Sequence, residues 1–348
     1  MKKFSLLMMM VVTMMALASC GGTSKKTEAS HEGKDCCLPI GLQLYSVRDD
    51  MAKDFKGTLQ KVKEMGYEGV EFAGLFGHSP EQINAWCMEL GLNPISAHVP
   101  LQEMLEDIDK VITDYKTIGC EYIVVPYVTE ERRPGGEKFM QTIEDIRVIG
   151  QKVKSAGMTL LYHNHDFEFQ KTETGEFGLD YLYANVPADL LQTQLDQCWV
   201  RYAGQDPVAY LKKYEGRSPV VHLKDYYAAG EQKEDPYALI GLNEGEKKEN
   251  KAFEFRPLGY GVQDVPSIVK AAKAAGSKWF IVEQDQPSMG KTSLECAAMS
   301  MEFMKQMQAE GACCDGHGSE DECSHDHNHA HGEECTHSHG ADCNHNHQ

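Results

Sequence analysis

Six apolar segments of this 348-residue chain end on side chains that can hold a metal ion or move a proton. They end on Glu71 in GVEFA, His98 in ISAHVP, His163 and His165 in LLYHNHDF, Asp196 in LQTQLDQ, His222 and Lys224 in VVHLKD, and Glu283 in FIVEQD. Packing gives no reason for ionisable groups to recur at the ends of apolar runs. Carboxylates and neutral imidazoles together suit a divalent ion such as Mn²⁺, Co²⁺, Zn²⁺ or Mg²⁺. Each group taken alone has a plainer explanation. A single histidine is often structural, Asp196 could cap the segment that follows it, and Glu283 could pair with Lys224. The chemical reading rests on their joint appearance at equivalent places, which requires a fold that brings those places together.

That fold is read from the region 38–310, where strand and helix patterns alternate. Strands are expected at 40–45, 69–72, 94–98, 122–125, 159–164, 191–196, 220–224 and 279–283, separated by segments with helical apolar spacing such as Phe55, Leu59 and Val62. Ser79-Pro80-Glu81-Gln82 reads as a helix start, with Ser as cap, Pro at the first position and Gln completing a capping box. Five helix exits repeat one pattern, EMGYEGV, ELGLNPI, TIGCEYI, SAGMTLL and AAGSKWF, with Gly66, Gly91, Gly119, Gly157 and Gly276 at the left-handed turn. A repeated unit of strand and helix implies a parallel sheet. Eight such units over this length predict an α/β fold with one (βα)8 TIM barrel, whose catalytic groups gather at the carboxyl ends of the strands. A doubly wound open sheet is the rival, but no GxGxxG turn follows the first strand, LQLYSVRDD.

The flanks carry other signals. Lys2 and Lys3, the apolar run Phe4 to Leu17 and the box Leu17-Ala18-Ser19-Cys20 resemble a bacterial lipoprotein signal. The expectation is a signal peptide over 1–19, a lipid anchor on Cys20, a flexible tether over 20–37, and an exported, membrane-anchored, periplasm-facing enzyme. Residues 311–348 hold nine His, five Cys and eight acidic residues with no Lys or Arg, so they read as a disordered tail able to take additional transition metal. Of the twelve cysteines, Cys87, Cys120, Cys198 and Cys296 read as buried small hydrophobes. Cys36 or Cys37 is placed to pair with Cys313 or Cys314 in an oxidising compartment. The net charge of −19 and the lack of a basic stripe argue against nucleic acid as a partner.

Within the folded region the strings GLQLYSVR, GYEGVEFAG, YHNHDFEF, HLKD and IVEQD resemble the xylose-isomerase-like barrels. That family includes sugar isomerases and epimerases, inosose dehydratases and endonuclease IV-type enzymes. The resemblance implies one divalent metal held by His163, Asp196, His222 and Glu283. A carbonyl and its neighbouring hydroxyl on such an ion acidify the adjacent C–H, and a side chain removes that proton to give a stabilised enediolate. Glu283 could serve as both ligand and base, and Lys224, on the same side as His222, could steady an oxyanion. His163 and His165 are further acid–base candidates. Glu71 and His98 are expected at the mouth to bind substrate hydroxyls or move protons, with Arg256 reaching over it.

Two departures shape the functional reading. The family's epimerases carry Glu where this chain has His163, and its endonucleases carry His where it has Trp199. The expectation is an isomerase or epimerase acting on a non-phosphorylated carbohydrate. A lyase eliminating a leaving group from a keto sugar, such as a 3-keto-glycoside or ketoinositol, is the alternative. A third possibility is an inactive barrel serving as scaffold for the metal-binding tail.

Overall fold

The computed structural model of the protein describes residues 38–228 and 253–311. The expected signal peptide, the whole expected tether, the tail beyond Gly311 and Cys36, Cys37, Cys313 and Cys314 lie outside the described residues. Strands β1 (Ile40–Gln43), β2 (Gly69–Phe72), β3 (Asn93–His98), β4 (Tyr122–Val125), β5 (Thr159–His163), β6 (Gln192–Asp196), β7 (Val220–Leu223) and β10 (Trp279–Val282) close into one parallel barrel in the order β1-β10-β7-β6-β5-β4-β3-β2. The eight expected strands are the eight barrel strands. They read as near-continuous apolar runs because helices cover the barrel outside while side chains fill it inside.

Helices α1 (Arg48–Lys53), α2 (Phe55–Met65), α3 (Pro80–Leu90), α4 (Leu101–Ile118), α5 (Phe139–Ser155), α6 (Gly178–Asn185), α7 (Gln197–Tyr202), α8 (Pro207–Lys213), α9 (Val265–Ala274) and α10 (Ser293–Ala309) alternate with the barrel strands. All five expected exit glycines have positive φ, from 63° at Gly91 to 106° at Gly66. Only glycine enters that region without steric cost, so the repeated motif is a backbone requirement. Ser79 caps α3 as expected, accepting from the Gln82 amide. The Gln82 side chain does not complete the box, because its Oε1 meets His78 Nδ1 at 3.2 Å. A full capping box is found instead at Thr292 and Glu295, where α10 begins.

Inside the barrel, Ile95, Tyr122, Val124, Leu161, Val220 and Ile281 form an apolar plug. Strand side chains alternate, so the residues two and four positions past the plug point the same way. Val220 is thus followed inward by His222 and Lys224, Ile281 by Glu283 and Asp285, and Leu161 by His163 and His165. On β3 the pairing with β2 slips by one residue between Val70 and Glu71. Such a bulge re-aims the chain beyond it. Here it lets Ile95 join the plug while Ser96 meets Glu71.

The connection after β7 carries structure of its own. It contains an antiparallel pair, β8 (Asp225–Ala228) and β9 (Phe253–Arg256), in which Asp225 faces Arg256. Phe253 and Phe255 bury against Tyr226, Cys198 and Trp199, the last two from α7 (Gln197–Tyr202). The alternation of β9 leaves Glu254 and Arg256 on its other face.

Gly150 marks a close approach on α5. A Cβ there would lie 2.3 Å from the backbone oxygen of Leu190, which has no rotamer by which to retreat. Overpacking of this kind costs about 1–3 kcal/mol, against roughly 1 kcal/mol gained from alanine's helix propensity. Gly150→Ala is therefore expected to lower the urea midpoint with an unchanged denaturant slope. A midpoint equal to or above that of the parent would contradict this packing.

Candidate active site and metal centre

A buried carboxylate lies at the centre of the site. Glu71 has no exposed surface and receives five donors: Gln43 Nε2 at 2.7 Å, Ser96 Oγ at 2.6 Å, Gln194 Nε2, and the imidazoles of His222 at 2.7 Å and His98 at 3.0 Å. Burial alone would raise its pKa, but the facing His98 and His222 charges and hydrogen bonds hold it well below the usual carboxylate range. Glu71 was expected at the mouth as a substrate-binding group. It lies below the floor instead, with both oxygens occupied, and it does not line the cavity.

His222 stands between two carboxylates, with Nε2 on Glu71 and Nδ1 at 3.0 Å from Glu283 Oε2. Burial works against its charged form, yet Glu71 and Glu283 push its pKa up to about 10. Glu283 is held well below the ordinary range. Burial opposes that shift, but Lys224 and His222 overcome it. Lys224 Nζ lies 2.9 Å from Glu283, 2.8 Å from Asp285 and 3.4 Å from Asp196. Desolvation would discharge this ammonium, but the surrounding carboxylates keep its pKa well above normal. Its Nζ also sits over the rings of Trp199 (5.5 Å) and Phe255 (5.3 Å), so the β8–β9 pair helps place it. Asp285 is pushed up to about 6, chiefly by burial, with Lys224 pulling the other way.

Asp196 divides its carboxylate between two tasks. Oδ1 caps α7 by accepting from the Cys198 amide at 2.8 Å and the Trp199 amide at 3.4 Å. Oδ2 is buried and accepts no hydrogen bond, although Lys224 Nζ and His163 Nε2 stand near it. Such an oxygen is costly unless something positive approaches it. His163 Nδ1 meets Gln194 Oε1 at 3.1 Å, and the Gln194 amide donates to Glu71 through its other end. That orientation puts the His163 proton on Nδ1. Its Nε2 lone pair then faces Asp196 Oδ2 at 3.6 Å. Burial, reinforced by His222 and His98, holds His163 neutral, with its pKa well below normal. His165 is also held neutral, by burial and by Lys224.

These residues fit a cation. Ligand atoms of His163, Asp196, His222 and Glu283 all lie within 4.8 Å of one another, and all four residues are buried. His98, His163 and His222 form an overlapping group. The donor set includes one neutral imidazole with its lone pair inward, one carboxylate oxygen without a hydrogen bond, and Glu283. The fourth member is His222, whose Nδ1 lies 3.0 Å from Glu283 Oε2. Four buried carboxylates, Glu71, Asp196, Glu283 and Asp285, face the Lys224 ammonium and the His222 imidazolium. A divalent ion would offset the surplus negative charge.

Above this cluster opens a cavity of about 790 Å³. His98, His163, His165, Lys224 and Glu283 line it, joined by Tyr45 and Asp285, which the sequence analysis did not single out. Arg256 does not reach it. Its guanidinium bonds Glu254 at 2.5 Å and lies 5.5 Å from the Tyr227 ring, because alternation along β9 turns it to the face opposite the buried Phe253 and Phe255. The missed residues had a readable signal. Gln43, Ser96 and Gln194 are polar groups inside apolar strands, and Asp285 follows Glu283 by two, as Lys224 follows His222.

A family profile described as xylose isomerase-like TIM barrel matches residues 59–307. The chain belongs to this family. Among solved structures, a sugar phosphate isomerase/epimerase from Parabacteroides distasonis is 22% identical with a TM-score of 0.61, covering 77% of this chain and 98% of that one. The probable 3-DHS dehydratase AsbF from Bacillus anthracis is 15% identical at TM-score 0.61, covering 77% and 99%. The IOLI protein with a bound zinc atom is 16% identical at TM-score 0.59, covering 78% and 99%. At these identities the likenesses show the shared fold. Comparison with curated proteins gave no match.

Glu71→Gln keeps the shape of the central side chain but removes the charge facing His222. Loss of such an outer partner typically weakens metal binding about 10–100-fold. The prediction is a loss of that size for Zn²⁺ or Co²⁺, titrated calorimetrically into metal-free protein. Unchanged affinity in a folded variant would remove Glu71 from the metal-positioning role.

Proposed function

We propose that the protein is a divalent-metal-dependent enzyme of the sugar isomerase/epimerase type. It removes a proton beside a carbonyl of a non-phosphorylated carbohydrate. The observation that carries this reading is the convergence of His163, Asp196, His222 and Glu283 in one buried cluster, of which His163 and Glu283 line the cavity above. Two imidazoles in the set favour Mn²⁺, Co²⁺ or Zn²⁺ over Mg²⁺, and a zinc atom is bound in one structural relative. A bound ion would polarise the substrate carbonyl and stabilise the charge that develops on its oxygen.

The chain's own groups do the rest. Glu283, held ionised by Lys224 and His222, accepts the proton from the carbon beside the carbonyl. Lys224 keeps a fixed positive charge beside that carboxylate and the developing oxyanion. His98 and His165 donate to or accept from substrate hydroxyls on the opposite wall. The cations that line the cavity, Lys110, Arg132 and Lys224, are each paired with a carboxylate, Asp114, Asp145 and the Asp196/Glu283/Asp285 group respectively. A phosphate would have to compete with those partners, which favours an uncharged sugar.

A second reading has its own observation. Both carboxylates at the reacting end, Glu283 and Asp285, come from the end of β10, while the facing wall offers the neutral His163 and His165. Epimerisation by two opposed carboxylates has no counterpart here. Elimination from a keto sugar needs one base and one acid, and a dehydratase stands among the structural relatives. Export with a lipid anchor at Cys20, and metal capture by the tail, complete the proposal.

Carbonyl sugars incubated in D₂O with Co²⁺ or Zn²⁺ provide the test. The expected result is solvent deuterium at the carbon beside the carbonyl, with exchange reduced about 10²–10⁴-fold in Glu283→Gln. A product of unchanged formula marks the isomerase; release of water or an alcohol marks the lyase. Exchange at the parental rate in Glu283→Gln would overturn the assignment of the base.

A further inference from the structure

The cavity is larger than the chemistry assigned to its floor requires. At about 790 Å³ it approaches the upper end of the range, roughly 300–1,000 Å³, that encloses drug-sized ligands. One hexose ring over the metal cluster leaves most of it unfilled.

Its two sides are built from different materials. The ends of β5, β7 and β10 supply the reacting part, where Lys224, Glu283 and Asp285 face the neutral His163 and His165. The loops after β2, β3 and β4, with the first turn of α4, form the other. From them Leu75, Phe76, Pro100, Leu101, Tyr127 and Val128 present an aromatic and aliphatic wall. Glu103 and Glu131 line the same side and supply acceptors.

Phe76 is the unusual member. Its φ is +51°, between Gly74 at +91° and Gly77 at +82°. A bulky residue in the left-handed region is strained where glycine would not be, and such strain gathers at functional positions. The ring is 37% exposed and touches Phe55 at a centroid distance of 5.9 Å. Folding therefore gains little that would compel a phenylalanine in this turn.

We propose that this wall is a subsite for a second sugar ring. The substrate class is then a carbohydrate of two rings, in which the carbonyl-bearing sugar is joined through an oxygen to another sugar. The inference rests on the proton-abstraction reading of the floor. The second ring lays its C–H face on Phe76 while its hydroxyls reach Glu103 and Glu131. Burying one ring face is worth about a tenfold to hundredfold gain in affinity.

The test compares matched pairs of compounds on the full-length protein, each pair a carbonyl-bearing hexose and the disaccharide that contains it. Binding is measured by calorimetry and turnover by deuterium uptake, separately. The expected result is binding at least about tenfold tighter for the disaccharide, with kcat/KM raised by a similar factor. Phe76→Gly removes the ring and relieves the positive φ, and its folding is checked by urea denaturation beside the parent. It is expected to abolish the preference, mainly through KM, whereas Phe76→Tyr retains it. Equal binding of the two compounds by the parent, or a preference that survives Phe76→Gly, overturns the subsite. A binding preference without deuterium uptake supports the subsite and overturns the proton-abstraction reading. Uptake without a binding preference does the reverse.

Discussion

The His222 imidazole, held between Glu71 and Glu283 in the middle of the barrel, is the interaction on which the rest of the site depends. Charges buried this completely are costly unless every oxygen and proton has a partner. Here the partners are supplied in layers. Gln43, Ser96 and Gln194 complete the shell of Glu71, and Lys224 completes that of Glu283. Through Gln194 the same network reaches His98 and His163, so the orientation of the neutral imidazole is set by the carboxylate beneath it. Six of the eight barrel strands, β1, β2, β3, β5, β6 and β7, contribute to this one arrangement, and Glu283 follows the end of a seventh, β10. Removing one partner from such a network leaves a buried charge, which typically costs about 3–5 kcal/mol. Fold and site are therefore supported by the same contacts.

Above that network the site is electrostatically one-sided, and this shapes its chemistry. Glu283, Lys224 and Asp285 form an alternating charged group on the β7–β10 side, while burial keeps His163 and His165 neutral on the β5 side. The β8–β9 pair belongs to this design. Its phenylalanines pack with Trp199, and Trp199 and Phe255 lie beneath the Lys224 ammonium. Asp225 fastens the loop after β9 by accepting amides of Gly259, Gly261 and Gln263. An excursion that looks like a decoration of the barrel thus holds one of its charged groups in place.

Much of this was legible in the amino-acid sequence. The eight strands and the five glycine exits were readable because each is a local backbone requirement repeated around the barrel. The gathering of the strand-end groups followed from closing those strands into a barrel, and the set His163, Asp196, His222 and Glu283 followed from the resemblance to the xylose-isomerase-like family. Glu71 was misplaced for a physical reason. Strand pattern says which way a side chain points, but depth along the barrel axis depends on stagger and on the slip at Val70 and Glu71. Arg256 differs from its expected place because pairing of Phe253–Arg256 with Asp225–Ala228, a long-range contact, imposes an alternation that turns it away. Gln194 and Asp285 escaped notice for a simpler reason. An amide is not a catalytic group, and IVEQD drew attention to its first acid.

The central claim is that the barrel itself, rather than the His- and Cys-rich tail, holds a divalent ion on strand-end ligands. Metal analysis of the protein after removal of residues 311–348 tests it most directly. The account predicts that the shortened chain retains one tightly held divalent ion. Asp196→Ala or His222→Ala should remove that ion, at a stability cost of about 3–5 kcal/mol, with folding followed by circular dichroism. Loss of all bound metal with the tail, or full retention in both substituted chains, would contradict it.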